Sequence, residues 1–153
     1  MGKQIKGIPV REKIEKDIDK DIFLLAKNKI VPKIATIRVG ADSGQIFYEK
    51  AIMKRAAAYK MKSENLVFEE GILQDELESK IIELNEDSSV HGILVLMPLP
   101  KYLDQDRISN LIKPDKDIDA ITDVSYANLI SGKDKAKAFF ACTAEACMEI
   151  LKL

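Results

Sequence analysis

Apolar residues recur three to four positions apart near the start of the chain. From about Val10 to Asn28 they are Ile14, Ile18, Ile22, Phe23 and Ala26, the period of an amphipathic helix with one face on a core. Pro32 ends that pattern. Lys33 to Val39 (KIATIRV) is rich in β-branched residues and predicts a strand. Gly40 closes it, and Asp42 or Ser43 can cap a helix reaching about Lys60. Leu66 to Phe68 predicts a second, short strand. The helical period returns from Leu73 to Asp87 through Leu77, Ile81, Ile82 and Leu84, and Gly92 to Met97 (GILVLM) is continuously apolar. A strand of that kind is covered on both faces, as in a parallel sheet.

Alternating strands and helices of these lengths predict βαβ units with right-handed crossovers. The fold expected is α/β, a three-layer αβα arrangement with a mainly parallel sheet. Ligands in such sheets bind at the carboxyl ends of strands, here Val39 to Asp42 and Met97 to Pro100. No internal repeat or linker appears, and the charged stretch Lys133 to Lys137 suits a solvated loop.

Composition narrows the function classes. The chain has 153 residues, room for one domain, with 46% hydrophobic and 32% charged residues and a formal charge of −1. That balance argues against disorder and against non-specific nucleic-acid binding, which needs a basic face. No apolar run approaches the roughly 20 residues of a membrane span. The charged start lacks a secretory apolar segment, and Lys6 stands where a myristoylation motif has Ser or Thr. A cytoplasmic protein with no membrane and no nucleic-acid partner is expected. Cys142 and Cys147 have neither redox nor zinc spacing and are expected to be packing residues of a reduced protein. His91, the one histidine, is expected at a strand edge, so base chemistry falls to Lys, Tyr, Asp or Glu.

Three segments could carry chemistry, each with a plainer alternative. Tyr48, with Lys50 and Lys54 on the same helix, could form a proton-transfer pair at the sheet's mouth; the same lysines also suit a solvated helix face. Met97-Pro98-Leu99-Pro100 is rigid, because two prolines each fix φ. It could wall a flat aromatic ligand or serve as an ordinary loop. Asp115, Asp117 and Asp119 lack the glycine and terminal Glu of a calcium loop, so no metal is expected. Asp119 could accept paired hydrogen bonds from an amino-pyrimidine ring, or the three could cap a solvated loop. No GxGxxG or Walker sequence occurs in the chain.

Together, Arg38-Val39-Gly40, Tyr48, Val90 to Val95 (VHGILV), Met97 to Pro100 (MPLP), Pro114 to Asp119 (PDKDID) and Cys142-Thr143 resemble, in this order, a known family. It is the folate-binding half of bifunctional methylenetetrahydrofolate dehydrogenase/methenyltetrahydrofolate cyclohydrolase. The resemblance runs from about residue 5 to 153. It implies oxidation of 5,10-methylenetetrahydrofolate with NADP, or NAD, and hydrolysis of the methenyl product in one-carbon metabolism supplying purine biosynthesis. A cytoplasmic homodimer is implied as well. Tyr48 matches the Tyr that packs over the folate ring, and Asp119 the Asp that anchors it. Pro98, Leu99 and Pro100 form the wall that the resemblance sets beside the ring, and Leu96, two residues before that wall, is expected among the substrate-binding residues.

Two positions depart from the family pattern. Ile52 stands four residues after Tyr48, where the family has its proton-handling Lys, and Leu96 stands where a Gln hydrogen-bonds that Lys. Lys54 is the natural substitute, although six residues place it about 120° around the helix from Tyr48, against about 40° for four. The departures put cyclohydrolysis in question more than hydride transfer, which rests mainly on positioning. They also leave room for a non-catalytic folate-binding or interaction module. Residues 1–153 then correspond to the folate-binding domain, with about 141–153 starting a connection to an NADP-binding Rossmann domain that the chain lacks.

Overall fold

The architecture comes from a computed structural model that describes residues 6–132 and 139–152. Its elements are α1 (Ile8–Lys27), β1 (Lys33–Val39), α2 (Ser43–Ala58), β2 (Lys62–Phe68), α3 (Gln74–Glu86), β3 (Gly92–Val95), α4 (Gln105–Asn110), α5 (Asp123–Ser131) and α6 (Cys142–Leu151). The charged stretch Lys133 to Lys137 lies outside the described residues.

The three strands form one parallel sheet in the order β2-β1-β3. β1 runs beside all of β2, from Lys33 opposite Lys62 to Val39 opposite Phe68. It pairs with β3 from Ile34 opposite Gly92 to Ile37 opposite Val95. β2 is longer than Leu66 to Phe68 because this pairing draws Lys62 to Asn65 into the ladder despite their polarity. β3 is shorter than its apolar run. Leu96 N–H still donates to Ile37 C=O at 2.9 Å, after which the cis Met97–Pro98 peptide turns the chain away.

Alternation along β1 assigns its two faces. Ala35, Ile37 and Val39 join Ile93 and Val95 in the core with Leu77, Ile81 and Leu84 of α3, Ile108 of α4, and Val90, Leu99, Leu103 and Ile112. Thr36 and Arg38 point to the opposite face, where α2 lies. There Glu49 accepts hydrogen bonds from Thr36 Oγ1 at 3.4 Å and Arg38 Nε at 3.0 Å, and Arg38 also donates to Gly40 C=O. Helices on both faces of a parallel sheet make the three-layer α/β fold expected.

Strand order sets where a ligand can sit. The connection from β1 leads outward to β2, while the connection from β2 returns across β1 to β3. Crossovers of one hand then place α2 and α3 on opposite faces. The crevice at the carboxyl ends of β1 and β3 is therefore a topological switch point. Gly40 makes the turn out of β1 with φ +82°, a conformation natural to glycine. Asp42 caps α2, its Oδ1 accepting from Gln45 N–H at 2.8 Å. At the start of β3, a Cβ on Gly92 would lie 2.6 Å from Ile118 Cγ2, so the loop holding Asp117 and Asp119 closes onto a position that only glycine fits.

Two packing expectations are corrected. α1 buries only Val10; Ile18 and Ile22 are half-buried, whereas Ile14 and Phe23 are exposed. No residue of α1 joins the core cluster; the helix meets α2 instead, where Glu15 Oε1 accepts from Arg55 and from the Tyr59 hydroxyl at 3.3 and 3.1 Å. Cys142 and Cys147 are both exposed free thiols, because α6 has no buried residue. His91 ends the ladder as expected, donating its N–H to Lys33 C=O at 2.8 Å and accepting from Lys33 N–H through Nδ1 at 3.2 Å.

Candidate active site

A cleft of about 390 Å³ opens at the switch point. Asp42, Gly44, Gln45 and Tyr48 line it from α2 and its cap, Leu94 to Met97 from the end of β3, and Asp119 from the following loop. A second cleft of about 410 Å³ shares Asp42 and Gln45 and is lined also by Val39, Ala41, Glu70, Pro98, Leu99, Pro100 and Tyr102. Tyr48, Leu96 and Asp119 are thus brought together, while the Pro98–Pro100 wall faces the neighbouring cleft across Gln45.

The structure separates the three aspartates. Asp115 is exposed. Asp117 is fully buried and accepts from Ile121 N–H and Thr122 N–H, each at 3.0 Å, and from Ser125 Oγ at 2.6 Å. These bonds tie the loop to the start of α5, so Asp117 is a structural acceptor with its lone pairs engaged. Between Asp117 and the sheet, Ile93 N–H donates to Lys116 C=O at 2.8 Å. Lys116 is itself buried, its Nζ donating to Leu84 C=O and Asp87 C=O at 2.9 and 2.7 Å, where a cation satisfies carbonyls at the end of α3. Two residues beyond Asp117, Asp119 reaches the cleft.

Burial pushes the Asp119 carboxyl above the usual aspartate range, and the charge on Asp117 adds to the shift. Burial also raises the Tyr48 phenol, with the negative charges of Asp119 and then Cys142 contributing. Cys142 donates its thiol to Ile118 C=O at 3.5 Å. Although the residue is exposed at the surface, partial desolvation of the sulfur and the adjacent Asp119 raise the thiol, so it is a neutral neighbour and not an activated nucleophile. The cleft therefore sets a phenol that holds its proton more tightly than usual beside a carboxyl acceptor, a pairing suited to a flat ring that carries N–H groups.

Neither lysine candidate lines the cleft. Lys50 and Lys54 are exposed on α2, and half-buried Ile52 is likewise absent from the lining. Buried positions Gln45, Glu49 and Ala56 mark the face of α2 turned to the sheet, which leaves Lys54 on another side, as its helical angle predicts. The sequence reading missed Gln45. It stands one turn before Tyr48, on the same face, and that spacing was the available signal.

The residues present do not fit a dinucleotide. The Asp42 carboxylate already occupies the N-terminus of α2, where a pyrophosphate would need free backbone N–H groups. The β2-to-α3 junction carries Glu69 and Glu70, and the Glu76 carboxylate of α3 reaches back to Leu73 N–H at 3.4 Å. Among the described residues no three His, Cys, Asp or Glu side chains cluster to hold a metal, and no helix is long and apolar enough to cross a membrane.

Residues 5–119 match the family described as tetrahydrofolate dehydrogenase/cyclohydrolase, catalytic domain. The chain belongs to this family. Among relatives of this dehydrogenase/cyclohydrolase domain, the bifunctional protein FolD of Alkaliphilus metalliredigens is 40% identical over 152 residues, 99% of this chain and 53% of that protein. FolD of Clostridioides difficile is 39% identical over 151 residues, 99% of this chain and 52% of that protein. The fold superposes on the FolD dehydrogenase/cyclohydrolase of Campylobacter jejuni with a TM-score of 0.89 and 32% identity, covering 95% of this chain and 51% of that one. The Trypanosoma brucei enzyme, solved with NADP cofactor and an inhibitor, gives 0.89 at 30% identity, covering 99% and 51%. This catalytic-domain chain thus spans about half the length of the relatives it matches.

Proposed function

We propose that the chain is the folate-holding half of a methylenetetrahydrofolate dehydrogenase/methenyltetrahydrofolate cyclohydrolase. The observation that carries this reading is the convergence of Tyr48 and Asp119 on one cleft at the switch point of the sheet. Tyr48 offers a ring face and a protonated hydroxyl to the pterin, while Asp119 accepts paired hydrogen bonds from its amino-pyrimidine edge. Leu96 supplies an apolar contact. Pro98, Leu99 and Pro100 border the ligand from the adjoining cleft.

Hydride transfer needs the one-carbon unit held against an acceptor, and this cleft supplies the holding. The Trypanosoma brucei relative was solved with NADP, and NADP or NAD is the acceptor that this reading implies. The α2 and α3 starts of the described residues do not fit it. A cytoplasmic homodimer follows from the same family reading. Hydrolysis of the methenyl group adds water to its carbon and breaks one carbon–nitrogen bond, which requires proton transfer. Lys54 is the proposed proton carrier, acting from outside the cleft lining on a long flexible stem.

Calorimetric titration of the chain with tetrahydrofolate tests the holding role. Asp119→Asn and Tyr48→Phe are expected to weaken binding, and wild-type affinity in both would remove the cleft from the reading. Lys54→Ala is expected to slow methenyl hydrolysis while preserving affinity; an unchanged rate would exclude Lys54.

A further inference from the structure

Gln45 has a feature that the folate-holding role of Tyr48 and Asp119 does not use. Its side chain is buried, with 8% exposure, and forms part of the wall of both clefts. The amide Nε2 donates to Pro98 C=O at 2.8 Å. Oε1 is closed off from solvent and accepts from nothing, the one such buried side-chain nitrogen or oxygen among the described residues. Exchanging the two ends of the amide does not relieve this, because an oxygen would then face the Pro98 carbonyl, acceptor against acceptor. The carbonyl therefore fixes which end is which, and the rigid Pro98–Pro100 segment fixes the carbonyl.

A buried acceptor without a donor is unfavourable, and a cleft ligand can bring that donor once the Gln45 amide shifts to present Oε1 to it. The charged groups near it do not compete. Asp42 is engaged with Gln45 N–H, and no lysine or arginine lines either cleft. A reduced pterin carries ring N–H donors at positions where the fully oxidised ring has bare acceptor nitrogens. An acceptor in the wall therefore distinguishes the two oxidation states, pairing with the first and opposing the second.

We propose that Gln45 is a specificity-determining residue of the folate cleft. Its amide oxygen accepts a hydrogen bond from a ring N–H of the reduced pterin and so favours the tetrahydro ring over the fully oxidised ring. This rests on the folate reading of the same cleft. Leu96, which presents no hydrogen-bonding side chain, leaves Gln45 as the amide in that wall.

The test is calorimetric titration of the 153-residue chain with tetrahydrofolate and, separately, with folic acid. Wild type should prefer tetrahydrofolate. Gln45→Met, of similar length but without the amide, should lose about tenfold in tetrahydrofolate affinity while keeping or gaining folic acid affinity, since the opposed acceptor is gone, so that the preference collapses. A purely structural role would weaken both ligands together and leave their ratio unchanged. Gln45→Asn withdraws the oxygen by one methylene, retains polarity and should also collapse the ratio, which keeps the question decidable if the Met variant does not fold. An unchanged ratio in a folded variant overturns the proposal and leaves the folate reading standing. Failure of wild type to bind tetrahydrofolate overturns both.

Discussion

Replacing Glu49 with Leu should destabilise the domain by leaving Arg38 buried without its charge partner. The Arg38 and Glu49 side chains are 10% and 4% exposed, with Nε to Oε2 at 3.0 Å. Glu49 Oε1 also accepts from the fully buried Thr36. Removing one member of a buried pair costs about 3–5 kcal/mol, chiefly the penalty of the uncompensated charge. In a domain of this size each kcal/mol moves Tm by about 2–4 °C, so Glu49→Leu should lower it by about 6–20 °C. The double variant Arg38→Met with Glu49→Leu should recover most of that loss, because a well-packed apolar pair of similar volume is often neutral relative to the ion pair. Thermal and urea unfolding of the two single variants and the double give the coupling. A Glu49→Leu drop of under about 2 °C, or a double variant as unstable as the two singles combined, would refute the claim that this pair clamps α2 to β1.

The Asp119 carboxyl, raised chiefly by burial, makes two opposite statements about pH. With the Asp119 carboxylate as the proposed acceptor for the folate ring, affinity should fall on acidification at a higher pH than for an ordinary aspartate, as titrations across a pH series would show. The folded state binds this proton more readily than the unfolded one, so stability should decline as pH rises from the ordinary aspartate value through the raised one. Asp119→Asn should flatten that decline in unfolding measurements while losing the ligand. Gly92→Ala places a Cβ against Ile118 and should cost about 1–3 kcal/mol in urea unfolding, with partial recovery when Ile118→Ala is added; the absence of any cost would mean that the loop gives way freely. Ile52→Lys restores a lysine about 40° around α2 from Tyr48 and should raise methenyl hydrolysis by about tenfold or more, within the range of a positioned proton carrier. An unchanged rate would show that a lysine at position 52 does not serve the cleft.

The sequence by itself determined the elements near the site. β-branched alternation marked β1, Asp42 announced the start of α2, and the apolar run of β3 implied cover on both faces. These signals are local: each depends on residues within a turn or a strand of one another. The PLP and KDID segments made the family legible on the same terms.

What only the tertiary structure decided depends on residues far apart in sequence. Asp117 and Asp119 have the same type and parity, yet one is locked by Ile121, Thr122 and Ser125 while the other faces a cleft. That difference arises from how the loop closes over Gly92. The polar half of β2 became a strand because β1 offered it a ladder. The stripe on α1 remained largely exposed because no core element came to meet it. Strand order placed the crevice between β1 and β3, and the Pro98 carbonyl oriented the Gln45 amide there. Local periodicity establishes that a helix or strand forms; long-range pairing and packing decide which of its side chains meet a ligand.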